Sequence, residues 1–390
     1  MSYNRHVIQT SQTTLDTARA ILGTSLDRGI ADGVFPGGTA ACRSDAGSVV
    51  AARGHLSWPH LDASTGKVTA ETVYDLASLT KIIGTLPLVL LSIQEGRLGL
   101  DDRADRFLPE LSGGAGRHWN GSLSIRTLLA HRSGLPAWRP YFVRLRGKAE
   151  YLSAIADETP SYAPGTAVEY SDLGFMMLGW IVERVWDEAL DALARRLVFL
   201  PLGMSATAYG ATAPSSLVAP TEMGNMHERG MALAYAEGRP VVGGHGSSYT
   251  ITVDEIDRFE WRTDTIRGAV HDSNAWYGLG GISGHAGLFS TIGDLIRYLS
   301  FWDDDGPLAP HIRAAAFTQQ TPHGSVSRGL GWILSDDGSA THTGFTGTSL
   351  RYHPRTGIAT VTLTNRVHPH VVDGIAAWRT GLAAELSALR

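Results

Sequence analysis

Apolar residues near the start of the chain follow first a helical period and then a strand-like one. Residues 15–30 carry apolar side chains at helical spacing, and Gly33 ends that pattern. Two short apolar runs follow at residues 39–43 and 49–53, separated by polar turn residues. The first part of the chain therefore predicts a helix followed by a β-hairpin.

The last part of the chain alternates strand-like runs with turn residues and closes on a helical pattern. The runs cover residues 330–335, 339–343, 349–353 and 358–364. A helix is predicted after them, over about residues 371–389. Strands at both ends with helices between them indicate an α+β fold, in which one antiparallel sheet is built from both chain ends and flanked by helices.

The middle of the chain is expected to be mostly helical. Residues 174–186 and 292–302 show long helical patterns, whereas residues 211–284 are rich in Gly, His and Trp and show little periodicity. Long loops of this kind usually wall an active site. We therefore expect the helical part to carry long active-site loops.

Composition favours one globular enzyme-sized unit. A chain of 390 residues with 43% hydrophobic and 18% charged residues can bury a large core. We expect residues 1–390 to form one catalytic unit, with a sheet region at about 15–80 and 320–390 and a helical region at about 81–319. The formal charge of -5 and the pI near 6.3 give no excess basic surface, so nucleic acid is not an expected partner.

The cysteine content and the apolar segments indicate in which cellular compartment the protein is expected. The single cysteine, Cys42, excludes an internal disulfide and a multi-thiolate metal site. The residues through Thr14 lack the apolar core of a secretory signal, and the apolar stretch at 82–93 is short for a bilayer-spanning helix. These features predict a cytoplasmic protein with no membrane partner and leave its oligomeric state open.

A hydroxyl and an amine stand three residues apart at Ser78 and Lys81, in the run Ser-Leu-Thr-Lys. On a helix this spacing puts both side chains on one face, about one turn apart. A serine hydroxyl needs a neighbouring base to take its proton. Burial of Lys81 beside Ile82 and Ile83 would disfavour the ammonium and lower its pKa, as a base requires. Ser78 is therefore a candidate nucleophile.

The same Ser-x-x-Lys pattern occurs a second time, at Ser64 and Lys67. That copy lies in a turn between strand-like segments, where an exposed lysine is expected. The chain contains few lysines, namely Lys67, Lys81 and Lys148. A lysine followed directly by two isoleucines is unusual for a surface position, which favours the pair Ser78 and Lys81.

The run Tyr-Asp-Leu-Ala-Ser-Leu-Thr-Lys at residues 74–81 resembles the first motif of class C β-lactamases and their esterase and peptidase relatives. Further runs follow in that family's order. They are Leu-Leu-Ala-His-Arg-Ser-Gly-Leu-Pro at 128–136, Ala-Pro-Gly-Thr and Glu-Tyr-Ser-Asp within 163–172, Pro-Leu-Gly-Met at 201–204, Gly-His-Ala-Gly-Leu-Phe-Ser-Thr at 284–291 and His-Thr-Gly at 342–344. The resemblance spans about residues 30–385 and implies an acyl-transfer serine hydrolase of the β-lactamase and penicillin-binding-protein type, with that family's fold.

The resemblance implies a role for Tyr170, whose phenol would stand near Ser78 and Lys81 and pass a proton to the leaving group. Asp172 replaces the family's asparagine on the substrate side of the site. An acid there would pair with Lys81, raise its pKa and move the base role toward Tyr170, or it would position Lys81 in a hydrogen-bond network. The residues alone leave both possibilities open.

His342, Thr343 and Gly344 take the place of the family's Lys-Thr-Gly, which lines the site and binds substrate. Gly344 would allow a close approach, and the N–H groups of Ser78 and Phe345 would form the oxyanion hole. Histidine is mostly neutral at pH 7 and holds a substrate carboxylate less well than lysine. This departure favours the esterase and D-aminopeptidase branches of the family.

We expect no cofactor and no metal. The spacing of His271, Asp272 and His285 fits neither a two-histidine helix signature nor a tetrahedral Cys/His site, so these residues are expected to pin a long loop near the pocket. The leading hypothesis is a carboxylesterase that acts on a small-molecule ester or amide through an acyl-enzyme on Ser78. A D-amino-acid peptidase or amidase, a weak β-lactamase and a penicillin-binding sensor without turnover are the alternatives.

Overall fold

The computed structural model describes residues 2–112, 123–239, 241, 249–322 and 324–389, with side chains from residue 13 onward. Its strands are β1 Gly37–Ser44, β2 Gly47–Gly54, β3 Tyr74–Asp75, β4 Ala208–Tyr209, β5 Leu288–Ser290, β6 Ile333–Leu334, β7 Ala340–Thr343, β8 Ser349–Tyr352 and β9 Ala359–Thr364. Six of them pair in the order β2-β1-β9-β8-β7-β6, and β3, β5 and β4 form a smaller sheet. Every pairing in both sheets is antiparallel.

Helices cover both faces of the larger sheet. Most of them come from the part of the chain that lies between β2 and β6. They are α1 Ser2–Ala31, α2 Leu86–Gln94, α3 Ile125–Leu129, α4 Gly147–Ala156, α5 Asp172–Trp186, α6 Leu190–Ala194, α7 Met226–Ala236, α8 Val253–Arg258, α9 Ile292–Tyr298, α10 Pro310–Ala316 and α11 Ile375–Ser387. The chain is therefore an α+β fold whose sheet is built from both chain ends, which confirms the predicted fold class.

The outer face of the sheet is covered by α1 and α11, the first and last helices. Leu22 and Leu26 of α1 are fully buried against it, together with Leu382 of α11. Trp378 of α11 packs edge-on against Phe35, with ring centroids 4.9 Å apart. Burial of these side chains on one layer ties the two ends of the chain together.

The inner face packs against a larger core in which α2 and α5 are central. The helical segment Ala77–Gln94, which ends in α2, is long and apolar enough to cross a membrane, but most of it is buried inside the protein. It is the central helix of the core, and Ser78 lies near its start.

Two stretches differ from the sequence predictions. The run at 330–335 forms only the two-residue strand β6, because Gly331 adopts a left-handed φ of 77° that interrupts an extended chain. The aperiodic stretch at 211–284 contains α7 and α8 among its described residues, and part of it lies outside them.

Candidate active site

Ser78 lies in a tight turn built from buried residues. A 3₁₀ turn covers Ala77–Leu79, and a π-helical turn over Lys81–Thr85 leads into α2. Ala77 has a φ of 45°, which non-glycine residues rarely adopt. Its N–H donates to the buried carboxylate of Asp75 at 2.8 Å, which holds this conformation. Ser78 itself is only half-buried, so the turn leaves the serine accessible.

The Lys81 side chain is fully buried beside that serine. Its Nζ donates to Ser78 Oγ at 3.0 Å and to the backbone carbonyl of His285 at 3.2 Å. A carboxylate oxygen of Asp172 lies 2.7 Å from the same Nζ. These contacts orient the ammonium toward the serine hydroxyl.

Two opposing effects act on the pKa of Lys81. Burial lowers this pKa, but the Asp172 carboxylate and the Tyr170 hydroxyl together outweigh burial and raise the pKa above its usual value. The expectation that burial gives a lowered pKa is therefore wrong here, because the ion pair more than compensates for the loss of solvent. Of the two roles considered for Asp172, the structure shows the ion pair with Lys81.

Tyr170 lies just before α5 and is held by its neighbours on that side of the site. Ser171 is the N-cap of α5, and its N–H donates to Nδ1 of His131 at 3.0 Å. The His131 ring lies against Tyr170, with ring centroids 4.5 Å apart. The helix cap and the histidine therefore position the tyrosine together.

The Tyr170 hydroxyl is within hydrogen-bonding reach of both Ser78 and Lys81. Burial raises the pKa of Tyr170, the Lys81 ammonium opposes that rise, and the Asp172 carboxylate adds to it. The Lys81 Nζ also lies 4.8 Å from the centre of the tyrosine ring. The structure thus brings Ser78, Lys81, Tyr170 and Asp172 into one connected network.

The turn between β7 and β8 is fastened to the backbone in front of Ser78. Thr346 Oγ1 donates to the carbonyl of Asp75 at 2.7 Å, and Thr348 Oγ1 donates to the carbonyl of Leu76 at 3.0 Å. Both threonine hydroxyls are buried. The turn is therefore held against the segment that carries the nucleophile.

Gly344 begins this turn at a point where a side chain would not fit. A Cβ at this position would lie 2.1 Å from Thr348 Oγ1 and 2.4 Å from the carbonyl oxygen of Leu76. The close approach places the backbone of Phe345 beside the Ser78 turn. The first N–H groups of a helical turn lack intrahelical partners, so an oxyanion hole formed by the N–H groups of Ser78 and Phe345 stays the prediction for this site.

His342 and Thr343 point to opposite faces of β7. His342 is buried, its ring lies 6.1 Å from that of Tyr170, and its Nδ1 donates to the carbonyl of Thr343 at 3.0 Å. Burial, together with the cations Lys81 and Arg328, holds the pKa of His342 well below its usual value, so the ring is neutral. The Thr343 side chain lines a groove between the outer face of the sheet and α11. The structure therefore brings His342 to the site but not the Thr343 side chain.

His271, Asp272 and His285 hold a long loop against the site, as the sequence predicts. The N–H of His271 donates to the Asp75 carboxylate at 2.7 Å, and its ring contacts Glu222 at 2.9 Å. His285 Nε2 lies 3.0 Å from Asp272 Oδ1. The loop is thereby tied to the same Asp75 that shapes the nucleophile turn.

Asp172, Asp272 and His285 also form a compact group, with one oxygen or nitrogen atom of each within 4.8 Å of the others. The Lys81 ammonium, in its ion pair with Asp172, supplies positive charge to this group. Burial acts to raise the pKa of Asp272, but His285 and Lys81 overcome it and lower the pKa to about 2. Asp272 is therefore ionised at neutral pH, in the neighbourhood of Lys81.

Arg328 is a residue of the site region that the sequence analysis does not single out. It is only 7% exposed, and its guanidinium carbon lies 5.6 Å from the centre of the Tyr170 ring. An arginine in a loop is ordinarily exposed, so the pattern of hydrophobic and polar residues did not indicate that Arg328 is buried. Its burial comes from packing against segments that are distant in the sequence.

The second Ser-x-x-Lys copy lies away from this network. Ser64 and Lys67 are both exposed, and Ser64 Oγ donates to the Asp62 carboxylate at 2.6 Å. The prediction of an exposed surface lysine at Lys67 is confirmed.

The sheet has this topology, and a network of serine, lysine and tyrosine lies where the core helix meets the sheet. Together these two features define a hydrolase of the β-lactamase fold. The β-lactamase family model matches residues 24–385. The chain therefore belongs to the β-lactamase family, as the ordered motifs indicate.

Similar proteins within this family carry different descriptions. A putative D-alanyl-D-alanine carboxypeptidase of Salmonella agona (strain SL483) is 30% identical over 338 residues, which cover 78% of this chain and 72% of the relative. Among solved structures, a class C β-lactamase superposes with a TM-score of 0.68 at 16% identity, covering 96% of both chains. EstCE1, a hydrolase with promiscuous acyltransferase activity, superposes with a TM-score of 0.69 at 18% identity, covering 97% of this chain and 99% of the other. The structural likenesses support the fold.

Proposed function

We propose that this protein is a serine hydrolase that cleaves carboxylic esters through an acyl-enzyme on Ser78. The observation that carries the proposal is the buried Lys81 ammonium, which donates to Ser78 Oγ at 3.0 Å, with the Tyr170 hydroxyl in reach of both. Ser78 Oγ attacks the ester carbonyl and gives up its proton, and the carbonyl oxygen becomes an oxyanion held by the backbone N–H groups of Ser78 and Phe345. The alcohol leaves with a proton, and water then releases the acid from Ser78.

The proton of Ser78 passes to the pair formed by Lys81 and Tyr170. These two groups titrate together. When the pair holds a single proton, the Asp172 carboxylate, 2.7 Å from Nζ, favours the state in which that proton is on Lys81. Tyr170 is then the group with a free lone pair, so it accepts the serine proton and returns it to the leaving alcohol. The ammonium stabilises the phenolate form of Tyr170 during this exchange.

His342 supports an ester rather than a β-lactam as the substrate. The ring is neutral, so this position lacks the charge of the lysine that the resemblance would place there. A D-amino-acid peptide or amide is the second candidate, supported by the 30% identity to a putative D-alanyl-D-alanine carboxypeptidase.

A substrate panel read together with intact-protein mass spectrometry tests the proposal. The panel contains p-nitrophenyl esters, D-alanine amides and nitrocefin, so that rates and the mass of any acyl adduct are recorded for each. We expect steady ester turnover that falls about 10³-fold or more in Ser78→Ala, because the nucleophile is lost.

Ser64→Ala is the matched control, since it removes the serine of the exposed copy of the same pattern, and it should hydrolyse esters at the wild-type rate. One equivalent of product followed by no turnover would instead indicate a sensor that is acylated once. A rate that is unchanged in Ser78→Ala would overturn the assignment of the nucleophile.

A further inference from the structure

Two arginines donate hydrogen bonds to the backbone of the turn between β7 and β8. Arg379 of α11 donates from Nη2 to the carbonyl of Thr348 at 2.8 Å and to the carbonyl of Gly344 at 3.3 Å. Arg366, just after β9, donates from Nε to the carbonyl of Phe345 at 2.9 Å, and its guanidinium carbon lies 4.7 Å from the centre of the Phe345 ring. The two side chains therefore hold three carbonyl groups of one short turn.

Two of these hydrogen bonds fix the peptide groups on either side of Phe345. The carbonyl of Gly344 and the N–H of Phe345 belong to one peptide group, in which planarity and the trans geometry make the two bonds point in opposite directions. An arginine bound to the Gly344 carbonyl therefore fixes the direction of the Phe345 N–H, which points away from that arginine. The described part of the chain supplies no hydrogen-bond acceptor to this N–H, the donor predicted for the oxyanion hole.

The segment in front of the nucleophile holds the same turn through other groups. The hydroxyls of Thr346 and Thr348 donate to the carbonyls of Asp75 and Leu76. The threonines set the distance between the turn and the nucleophile, and the arginines set the direction of the peptide group between them. Both are required of a donor that must meet an oxyanion.

Both arginines are cations without a carboxylate partner. Among the described residues, neither has a carboxylate oxygen within 4.0 Å. Burial and the neighbouring Arg366 cation lower the pKa of Arg379 to about 10. Burial also lowers the pKa of Arg366, and the Asp373 carboxylate opposes this effect. Both side chains are therefore charged at neutral pH, although two neighbouring cations repel each other.

A guanidinium bound to a carbonyl oxygen also strengthens the N–H of the same peptide group. Hydrogen bonds in a chain polarise one another, and a charged donor does so more than a neutral one. The Phe345 N–H thereby becomes a better donor to a developing negative charge. Retention of two cations that repel each other at this turn is explained by such a gain at the site.

We propose that Arg366 and Arg379 are positioning residues of the oxyanion hole, which aim and polarise the N–H of Phe345 through the backbone rather than by contact with the substrate. Trp378, the residue before Arg379, faces Phe35 instead, so these neighbours in sequence act on different parts of the molecule. The inference rests on the proposed function, since it concerns the oxyanion formed in the reaction of Ser78.

The kinetics of Arg379→Gln and Arg366→Gln with a p-nitrophenyl ester test the proposal. The oxyanion develops only after the substrate is bound, so a weaker oxyanion hole lowers kcat and leaves KM almost unchanged. We expect kcat to fall about tenfold or more in each variant and KM to change less than about threefold. Arg379→Lys keeps the charge and should restore part of the loss. Wild-type kcat in both glutamine variants would overturn the inference, and so would a rise in KM at unchanged kcat.

Arg351→Gln is the matched control for loss of a positive charge on this face of the sheet. Arg351 lines the same groove as Arg379, but it pairs with Asp337 and makes no hydrogen bond to the turn in the described part of the chain. Its kcat should equal that of the wild type. A loss as large as that of Arg379→Gln would overturn the inference, because it would reveal a general effect of charge.

A transition-state analogue separates an effect on the oxyanion hole from a smaller fraction of active protein. Phenylboronic acid forms a bond from boron to Ser78 Oγ, and the tetrahedral boron presents an oxygen to the oxyanion hole. Its inhibition constant should rise in Arg379→Gln by about the factor by which kcat falls. A loss of folded protein would lower kcat but leave the inhibition constant unchanged, and that result would overturn the inference.

Arg366→Gln covers the case in which Arg379→Gln does not fold, because it removes a different hydrogen bond of the same turn. Wild-type kcat and an unchanged inhibition constant in folded Arg366→Gln would then overturn the inference. Absence of turnover and of a Ser78 adduct in the wild type would contradict the proposed function itself. Wild-type turnover that neither arginine affects would contradict the inference alone.

Discussion

Asp172 acts on the pKa of both candidate bases of the nucleophile network, Lys81 and Tyr170. Its carboxylate raises the pKa of Lys81, which burial alone would lower, and it adds to the rise that burial causes in the pKa of Tyr170. Both candidate bases therefore keep their protons to higher pH than they would beside a neutral amide. The pH dependence of hydrolysis reports this effect whichever of the two residues takes the serine proton.

Replacement of Asp172 by asparagine should move the acidic limb of the pH profile of kcat/KM to lower pH. Removal of the negative charge lowers the pKa of Lys81 and of Tyr170, so the base form is reached at lower pH. The profile measured with a p-nitrophenyl ester checks this shift. Asp27→Asn, which removes one exposed carboxylate on α1, should leave the limb in place. A limb that moves to higher pH in Asp172→Asn would contradict the role assigned to this acid.

Residues of the site differ in how far the sequence could reveal them. Ser78 and Lys81 are close in sequence, so their helical spacing alone predicted that they meet. Tyr170 and His342 were found through the order of the motifs, because nothing local marks them. Arg328 was missed, since its burial and its missing partner depend on segments brought together only by the fold.

At the scale of elements, the turn between β7 and β8 links the sheet to the nucleophile. Thr346 and Thr348 bind the carbonyl groups of Asp75 and Leu76. The distance between the turn and the core helix is therefore set by two hydrogen bonds and by the lack of a side chain at Gly344.

Gly344→Ala should disable hydrolysis while the protein stays folded. The added Cβ would lie 2.4 Å from the Leu76 carbonyl, so the turn must move away and carry the Phe345 N–H out of reach of an oxyanion. We expect kcat to fall about 10²-fold or more, measured with a p-nitrophenyl ester. Gly381→Ala on α11 meets nothing within 4 Å and should leave kcat unchanged. Wild-type kcat in Gly344→Ala would exclude this turn from the oxyanion hole.

Elements with a clear apolar period were predictable, and those stabilised by polar contacts were not. Helix α5 is buried along most of its length and is strongly apolar, so its pattern predicted it to within two residues at its start. Helix α7 was missed because its buried face includes Glu228, whose Oε2 accepts from the N–H of Ser273 at 2.8 Å. A carboxylate that is buried by hydrogen bonds does not appear in a hydrophobic period.

At the scale of the whole molecule, the outer layer of helices joins the two chain ends. Trp378 of α11 packs on Phe35 and donates its indole N–H to the carbonyl of Ser25 in α1 at 2.7 Å. The sheet separates this layer from Ser78, so stability and catalysis can be perturbed independently here.

Trp378→Ala should lower the free energy of unfolding by about 3–5 kcal/mol, because it empties the space between α1, α11 and the sheet. Trp378→Phe keeps most of the packing and should cost about 1–3 kcal/mol, through the smaller ring and the lost hydrogen bond to the carbonyl of Ser25. Urea unfolding gives both values, and kcat measured on the folded protein should equal that of the wild type. A lower kcat in the folded variants would show that the outer layer is coupled to the site.

The position of β9 between β1 and β8 has a consequence for biosynthesis. β1 and β2 leave the ribosome early and pair as a hairpin, but the other edge of β1 pairs with β9, which is made near the end of the chain. Through most of translation the nascent chain therefore carries an open strand edge, the kind of template on which unfinished chains associate with one another. The yield of soluble protein in cells should consequently depend on how fast the last strands are delivered and on chaperones that cover that edge until they arrive.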